Sequence, residues 1–183
     1  MGWISEASPL RKARLAGVFY LLTFVTGMLA LVSGSGMLIA NLIATPCYVV
    51  VTLLFYGIFR PVNKRLSLLA AFFGLVGCTI GALRPFHLDP LHINSLVFFG
   101  FYCLLIGYLI LRSTFLPRIL GVLTAFGGLG WLTFVSVPLA KHLSPYNMLP
   151  GILGEGALTL WLLVIGVNDQ RWKEQASAAG LRT

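Results

Sequence analysis

One carboxylic acid of this sequence lies inside an apolar stretch, and its position makes it the best candidate for chemistry. Glu155 occurs in the run Gly151-Ile-Leu-Gly-Glu-Gly156, whereas the other four acids lie outside the apolar stretches. An ionisable group among apolar residues is costly to bury and is therefore often functional. The neighbouring glycines would let another helix, or a ligand, approach the carboxylate closely.

Six apolar stretches, each long enough to cross a bilayer as a helix, are separated by short polar breaks. Only 10% of the residues are charged and the mean hydropathy is +0.91, whereas soluble domains carry about 25% charged residues. We therefore predict an all-α polytopic membrane protein, a bundle of six transmembrane helices. A segment 1–14 precedes the domain 15–168, and a tail 169–183 follows it. The predicted helices are 15–32, 37–59, 66–83, 90–111, 117–140 and 148–167.

The basic residues favour one orientation of this bundle. Eleven of the 13 lysines and arginines lie at the end that holds both termini and the hairpin tip Arg112-Ser-Thr-Phe-Leu-Pro-Arg118. Only Arg84 and Lys141 lie at the other end. Because positive charge accumulates on the cytoplasmic side of a membrane, both termini are predicted to be cytoplasmic.

This orientation gathers most polar candidates at the extracytoplasmic end. Glu155 is predicted to lie about two turns below that surface, with Arg84 and Asn41 nearby. All three histidines, His87, His92 and His142, fall at the same end. Together these six residues are the predicted ligand-pocket candidates.

Several structural roles could account for the same residues. Glu155 could form an ion pair with Arg84 or Lys141, and Asn41 could make an interhelical hydrogen bond. The histidines could be ordinary interfacial residues. Asp89, followed by Pro90, could cap the fourth helix. The functional interpretation is a pocket, lined by Glu155 and Arg84, for a lipid head group or small amphiphile.

Other classes of function find little support. The positive charge is clustered beside apolar stretches and offers no surface for nucleic acid. No metal-binding motif is present, no facing histidines suit a haem, and no cofactor is predicted. The three cysteines, each in a different apolar stretch, are interpreted as small apolar side chains. Gly77 and Gly81 form a G-x-x-x-G pattern that predicts close helix packing.

Several runs of residues resemble a known family. The most specific is Arg112-Ser-Thr-Phe-Leu-Pro-Arg-Ile-Leu-Gly-Val-Leu123, and others are Phe98-Phe-Gly, Gly107-Tyr-Leu, Arg14-Leu-Ala-Gly-Val-Phe-Tyr20 and Leu160-Trp-Leu-Leu-Val-Ile-Gly166. They resemble the bacterial membrane proteins of domain of unknown function family 4386. The resemblance covers nearly the whole chain and implies a multi-pass protein of the bacterial inner membrane. It implies no activity.

Three hypotheses of function follow. The first is a non-enzymatic membrane protein that binds a lipid-like molecule or partner at its extracytoplasmic face. The second is a membrane enzyme that uses Glu155 and a histidine for acid–base work on a lipophilic substrate. The third is a small transporter, which ranks last because the cytoplasmic half has no intramembrane ionisable group for a second gate.

Overall fold

The computed structural model describes residues 8–32, 37–83, 86 and 94–181. These residues form eight α-helices and no strand, so the prediction of an all-α fold is confirmed. Two short 3-10 helices, Thr133–Val135 and Tyr146–Met148, flank the sixth α-helix. The α-helices are α1 Pro9–Val32, α2 Met37–Phe59, α3 Lys64–Leu83, α4 Ser95–Arg112, α5 Arg118–Leu132, α6 Val137–Leu143, α7 Leu149–Val164 and α8 Asp169–Ala178.

The six long helices form a closed ring. Helices α1 to α4 each pack against the next helix along the chain, α5 packs against α7, and α7 packs against α1. Successive long helices run in opposite directions, so the carboxyl-terminal ends of α1, α3 and α5 lie at the same end of the ring as the amino-terminal ends of α2, α4 and α7. The core inside the ring is rich in aromatic residues, with Tyr20, Phe55, Phe59 and Tyr102 almost fully buried.

The outer surface of the ring is apolar. Each of the six long helices exposes large hydrophobic side chains, including Leu53, Phe72, Val122 and Leu160. A soluble monomer rarely exposes so much contiguous apolar surface. Within the described residues, five stretches are long and apolar enough to cross a membrane. They are Leu38–Phe59, Lys64–Leu83, Ser95–Arg112, Arg118–Val135 and Tyr146–Val164.

Four glycines bring the backbones of α4 and α5 together. A Cβ atom added to Gly107 would lie 2.7 Å from the carbonyl oxygen of Gly121, and one added to Gly128 would lie 2.7 Å from that of Gly100. The glycines are seven residues apart on each helix, as required for facing positions on an antiparallel pair. In the predicted G-x-x-x-G of α3, a Cβ on Gly77 would lie 3.0 Å from the ring of Phe99 of α4, whereas one on Gly81 would meet nothing closer than 3.7 Å.

Three predicted helix boundaries are wrong. Helix α1 begins at Pro9 rather than at Leu15. Helix α4 begins at Ser95 rather than near Pro90, and Asn94 is its N-cap, with its side chain accepting a hydrogen bond from the amide of Leu96. Asp89, the predicted cap, lies outside the described residues. The predicted fifth helix, 117–140, is interrupted after Leu132, and Pro138 lies in the first turn of the separate helix α6.

The end of the bundle opposite α6 is covered by α8. The indole nitrogen of Trp172 donates a hydrogen bond to the carbonyl oxygen of Ile58 at 2.8 Å, which fixes α8 against the end of α2. The amide of Asn168 donates to the carbonyl oxygen of Phe115 in the α4–α5 hairpin tip. The side chain of Gln175 accepts from the amide of Thr114 in the same tip. Helix α8 is therefore an integral part of this end of the bundle.

Candidate functional site

A cavity of about 380 Å³ lies inside the other end of the ring. All six long helices contribute to its lining, through the carboxyl-terminal halves of α1, α3 and α5 and the amino-terminal halves of α2, α4 and α7. The lining is mostly apolar, with a few polar side chains. Its size falls within the range of about 300–1,000 Å³ that is typical of small-molecule sites.

Glu155 lies in the wall of this cavity with 5% of its surface exposed. One carboxylate oxygen accepts a hydrogen bond from the hydroxyl of Tyr20 at 2.5 Å. The other accepts from the indole nitrogen of Trp131 and, at 3.6 Å, from the thiol of Cys103. The acid of α7 is thus held by side chains of α1, α5 and α4. These hydrogen bonds compensate part of the cost of removing the carboxylate from water.

Glycines on α7 make room for this arrangement. The indole ring of Trp131 lies against Gly151, where any side chain would collide with the ring. Gly154 likewise faces the backbone of α5 at Leu123, so the two helices touch beside the acid. By contrast, a Cβ on Gly156 would meet no atom within 4 Å. The glycines around Glu155 therefore serve mainly the close packing of α5 on α7.

Asn41 lines the same cavity as Glu155. Its side-chain nitrogen donates to the carbonyl oxygen of Gly81 at 2.9 Å, so it joins α2 to α3. Its side-chain oxygen accepts from the hydroxyl of Thr45. Asn41 therefore combines an interhelical hydrogen bond with a place in the cavity wall.

The remaining predicted residues are not brought to Glu155 in the described part of the chain. His142 is exposed on α6 and does not line the cavity. The predicted ion pair between Glu155 and Lys141 does not form, because Lys141 is also exposed and the described partners of the acid are neutral. Arg84, His87 and His92 lie outside the described residues, so their predicted roles stay predictions.

The aromatic residues that surround Glu155 were not predicted from the sequence. Tyr20 and Tyr48 are almost fully buried, their hydroxyl oxygens are 3.5 Å apart, and both line the cavity. The sequence did contain a signal for these residues. A buried acid needs hydrogen-bond donors, and tyrosine and tryptophan in the middle of a helix are among the few largely apolar side chains that carry one.

The fold and the cavity define a class of protein. It is a ring of six long helices with an apolar exterior and a largely apolar cavity at one end, into which a buried carboxylate faces. The chain belongs to the family described as Domain of unknown function (DUF4386), which matches residues 35–93 and 87–166. The predicted resemblance is thereby confirmed.

The chain is also similar to an archaeal protein. An uncharacterized protein of Archaeoglobus fulgidus is 30% identical over 128 residues, which cover 64% of this chain and 76% of the relative. No solved structure matches the chain.

Proposed function

We propose that this chain is a six-span protein of the bacterial inner membrane, with both termini in the cytoplasm, that binds a small amphiphilic molecule. The binding site is the cavity beside Glu155, which opens at the extracytoplasmic end. The sixth span is α1, whose 24 residues pack against α2 and α7 within the ring. The orientation rests on the uneven distribution of basic residues.

The observation that carries this proposal is the combination of cavity and acid. A cavity of about 380 Å³ with a mostly apolar wall suits the apolar part of a small molecule,. Glu155, Asn41 and Thr45 supply a few polar atoms that could orient its polar group. An amphiphile satisfies both parts of this lining, and it could reach the site from the adjacent membrane.

Aromatic packing favours binding over transport. From the cavity, the rings of Tyr20, Phe55, Phe59 and Phe115 follow one another towards the opposite end, with successive centroids 5.7–6.0 Å apart. A second cavity of about 580 Å³ lies beyond Phe115, beside α8, and shares no lining residue with the first. Transport would require these packed rings to separate. The enzyme hypothesis needs a histidine beside Glu155, and the described histidine, His142, does not line the cavity.

A substitution at Gly27 tests the proposal. Gly27 lines the cavity, and a Cβ atom there would meet no atom within 4 Å. Gly27→Leu should therefore fill part of the cavity without disturbing the helices. Gly57→Leu is the matched control, because Gly57 is also helical and unobstructed but does not line the cavity.

Native mass spectrometry of the three proteins, extracted gently from membranes, provides the measurement. We expect a bound small molecule on the wild type and on Gly57→Leu, and loss of most of it on Gly27→Leu. Equal unfolding temperatures would verify that Gly27→Leu folds. The same bound mass on all three proteins, or none on the wild type, would refute binding in this cavity.

A further inference from the structure

We infer that the molecule bound in this cavity carries a positive charge, as an organic ammonium group attached to an apolar body. This inference rests on the proposed function and specifies its ligand class. It comes from the side chains that surround Glu155. They supply hydrogen bonds and aromatic rings, and among the described residues they supply no cation.

The first argument is the charge of Glu155. Its three described donors are the hydroxyl of Tyr20, the indole of Trp131 and the thiol of Cys103, all neutral groups. Neutral donors orient and stabilise a carboxylate, but they leave its formal charge in place. A carboxylate buried in an apolar bundle needs either a proton or a counter-ion. Since Glu155 also lines the cavity, a ligand can supply that counter-ion.

The second argument is the aromatic lining. Five rings line the same cavity, and the ring centroids of Tyr48 and Phe99 are 4.6 Å apart. Aromatic faces attract cations through their quadrupole, and quaternary ammonium groups are recognised by such clusters of rings. The lining rings are Tyr20, Phe24, Tyr48, Phe99 and Trp131.

Size is compatible with this ligand class. A cavity of about 380 Å³ holds an ammonium group together with a short apolar body,. The remaining lining is apolar, with Leu96 and Ile152 among its members. A fully polar cation such as a free metal ion or a polyamine would leave this surface unfilled. The favoured ligand is therefore a hydrophobic ammonium compound.

The test compares two probes that differ only in charge. Benzyltrimethylammonium and neopentylbenzene have the same shape, because a carbon atom of the latter replaces the nitrogen. Their affinities are measured on the full chain in nanodiscs, from the shift in unfolding temperature as a function of probe concentration. We expect the cation to bind about ten-fold more tightly or better, since it gains both the carboxylate and the desolvated ring faces.

Three variants complete the design. Glu155→Gln should bind the two probes equally well. Tyr48→Leu keeps Glu155 and should bind the cation more weakly than the wild type does, with a smaller loss for the neutral probe. The Tyr48 variant keeps the inference testable if the Glu155 variant does not fold. Arg84→Gln should bind the cation as the wild type does. A large gain in cation affinity on removal of Arg84 would identify that arginine as the resident counter-ion and overturn the inference.

The outcomes separate this inference from the proposed function. Equal affinity for the two probes would refute a cationic ligand and leave binding in the cavity intact. Failure of both probes to bind, together with no difference between Gly27→Leu and Gly57→Leu, would refute both. If Glu155→Gln and Tyr48→Leu both prefer the cation as strongly as the wild type does, the cation binds away from these two residues. This outcome would also refute the inference.

Discussion

Replacing Gly107 by leucine should prevent α4 and α5 from packing and leave little folded protein. A Cβ atom at this position would lie 2.7 Å from the carbonyl oxygen of Gly121 and 2.8 Å from the amide nitrogen of Ala125. These atoms belong to the backbone of α5, so they cannot rotate away as a side chain could. The smaller change Gly107→Ala should lower the free energy of unfolding by about 2 kcal/mol, as is typical of overpacking.

Unfolding by titration with sodium dodecyl sulfate, followed by circular dichroism, measures this effect. Gly57→Ala and Gly57→Leu are the controls, since a Cβ on that glycine of α2 meets no atom within 4 Å. They should leave the midpoint unchanged or slightly raised, because alanine and leucine favour helix over glycine. A midpoint for Gly107→Leu equal to that of Gly57→Leu would show that the two helices do not pack through their glycines.

Replacing Glu155 by alanine should destabilise the bundle by about 3 kcal/mol, because two buried donors lose their acceptor at about 1–3 kcal/mol each. Those donors are the hydroxyl of Tyr20 and the indole nitrogen of Trp131. Glu155→Gln should lower the free energy of unfolding by less than Glu155→Ala does, since the glutamine amide keeps one oxygen as an acceptor. Glu174→Ala is the matched control, because that acid is exposed on α8.

A double-mutant cycle distinguishes a direct interaction from a general effect of the substitution. In a Tyr20→Phe background one of the two donors is already absent, so Glu155→Ala should cost less there than in the wild type. The unfolding midpoints of the four proteins in sodium dodecyl sulfate give this coupling energy. Additive effects would show that Tyr20 and Glu155 do not interact.

Much of the fold could be predicted from the sequence because hydropathy alone identifies long apolar helices. The predicted start and end of the second helix, 37–59, agree with α2. Asn63, a residue type that favours helix starts, directly precedes α3, and its side chain accepts a hydrogen bond from the amide of Leu66,. These features depend on residues close in sequence, and such local signals are read reliably.

The wrong boundaries of the fourth and fifth predicted helices arose where two local signals competed. Asp89-Pro90 and Asn94 both have the pattern of a helix start, and the structure uses Asn94. The apolar character of 117–140 continues past Leu132, although Ser136 followed by Pro138 also fits the start of a new helix,. Hydropathy does not distinguish a continuous helix from two helices in such a stretch.

The candidate site was only partly predictable for a different reason. Glu155 stands out from its neighbours in the sequence, but its partners Tyr20, Cys103 and Trp131 are 24 to 135 residues away. Which of the many aromatic residues face the acid depends on how the six helices close into a ring. Of the two charged partners considered for the acid, Lys141 does not reach it, and neutral donors on three helices bind the carboxylate oxygens.

The most direct test of the account is the accessibility of the cavity from outside the cell. Ser95, which lines the cavity, and Thr114, exposed at the opposite end, are each replaced by cysteine in a chain carrying Cys47→Ala, Cys78→Ala and Cys103→Ser. A small membrane-impermeant thiol reagent added to intact cells should modify Ser95→Cys and should reach Thr114→Cys only after permeabilisation. The reverse pattern would contradict the orientation, and a Ser95→Cys that stays unmodified even in permeabilised cells would contradict an open cavity.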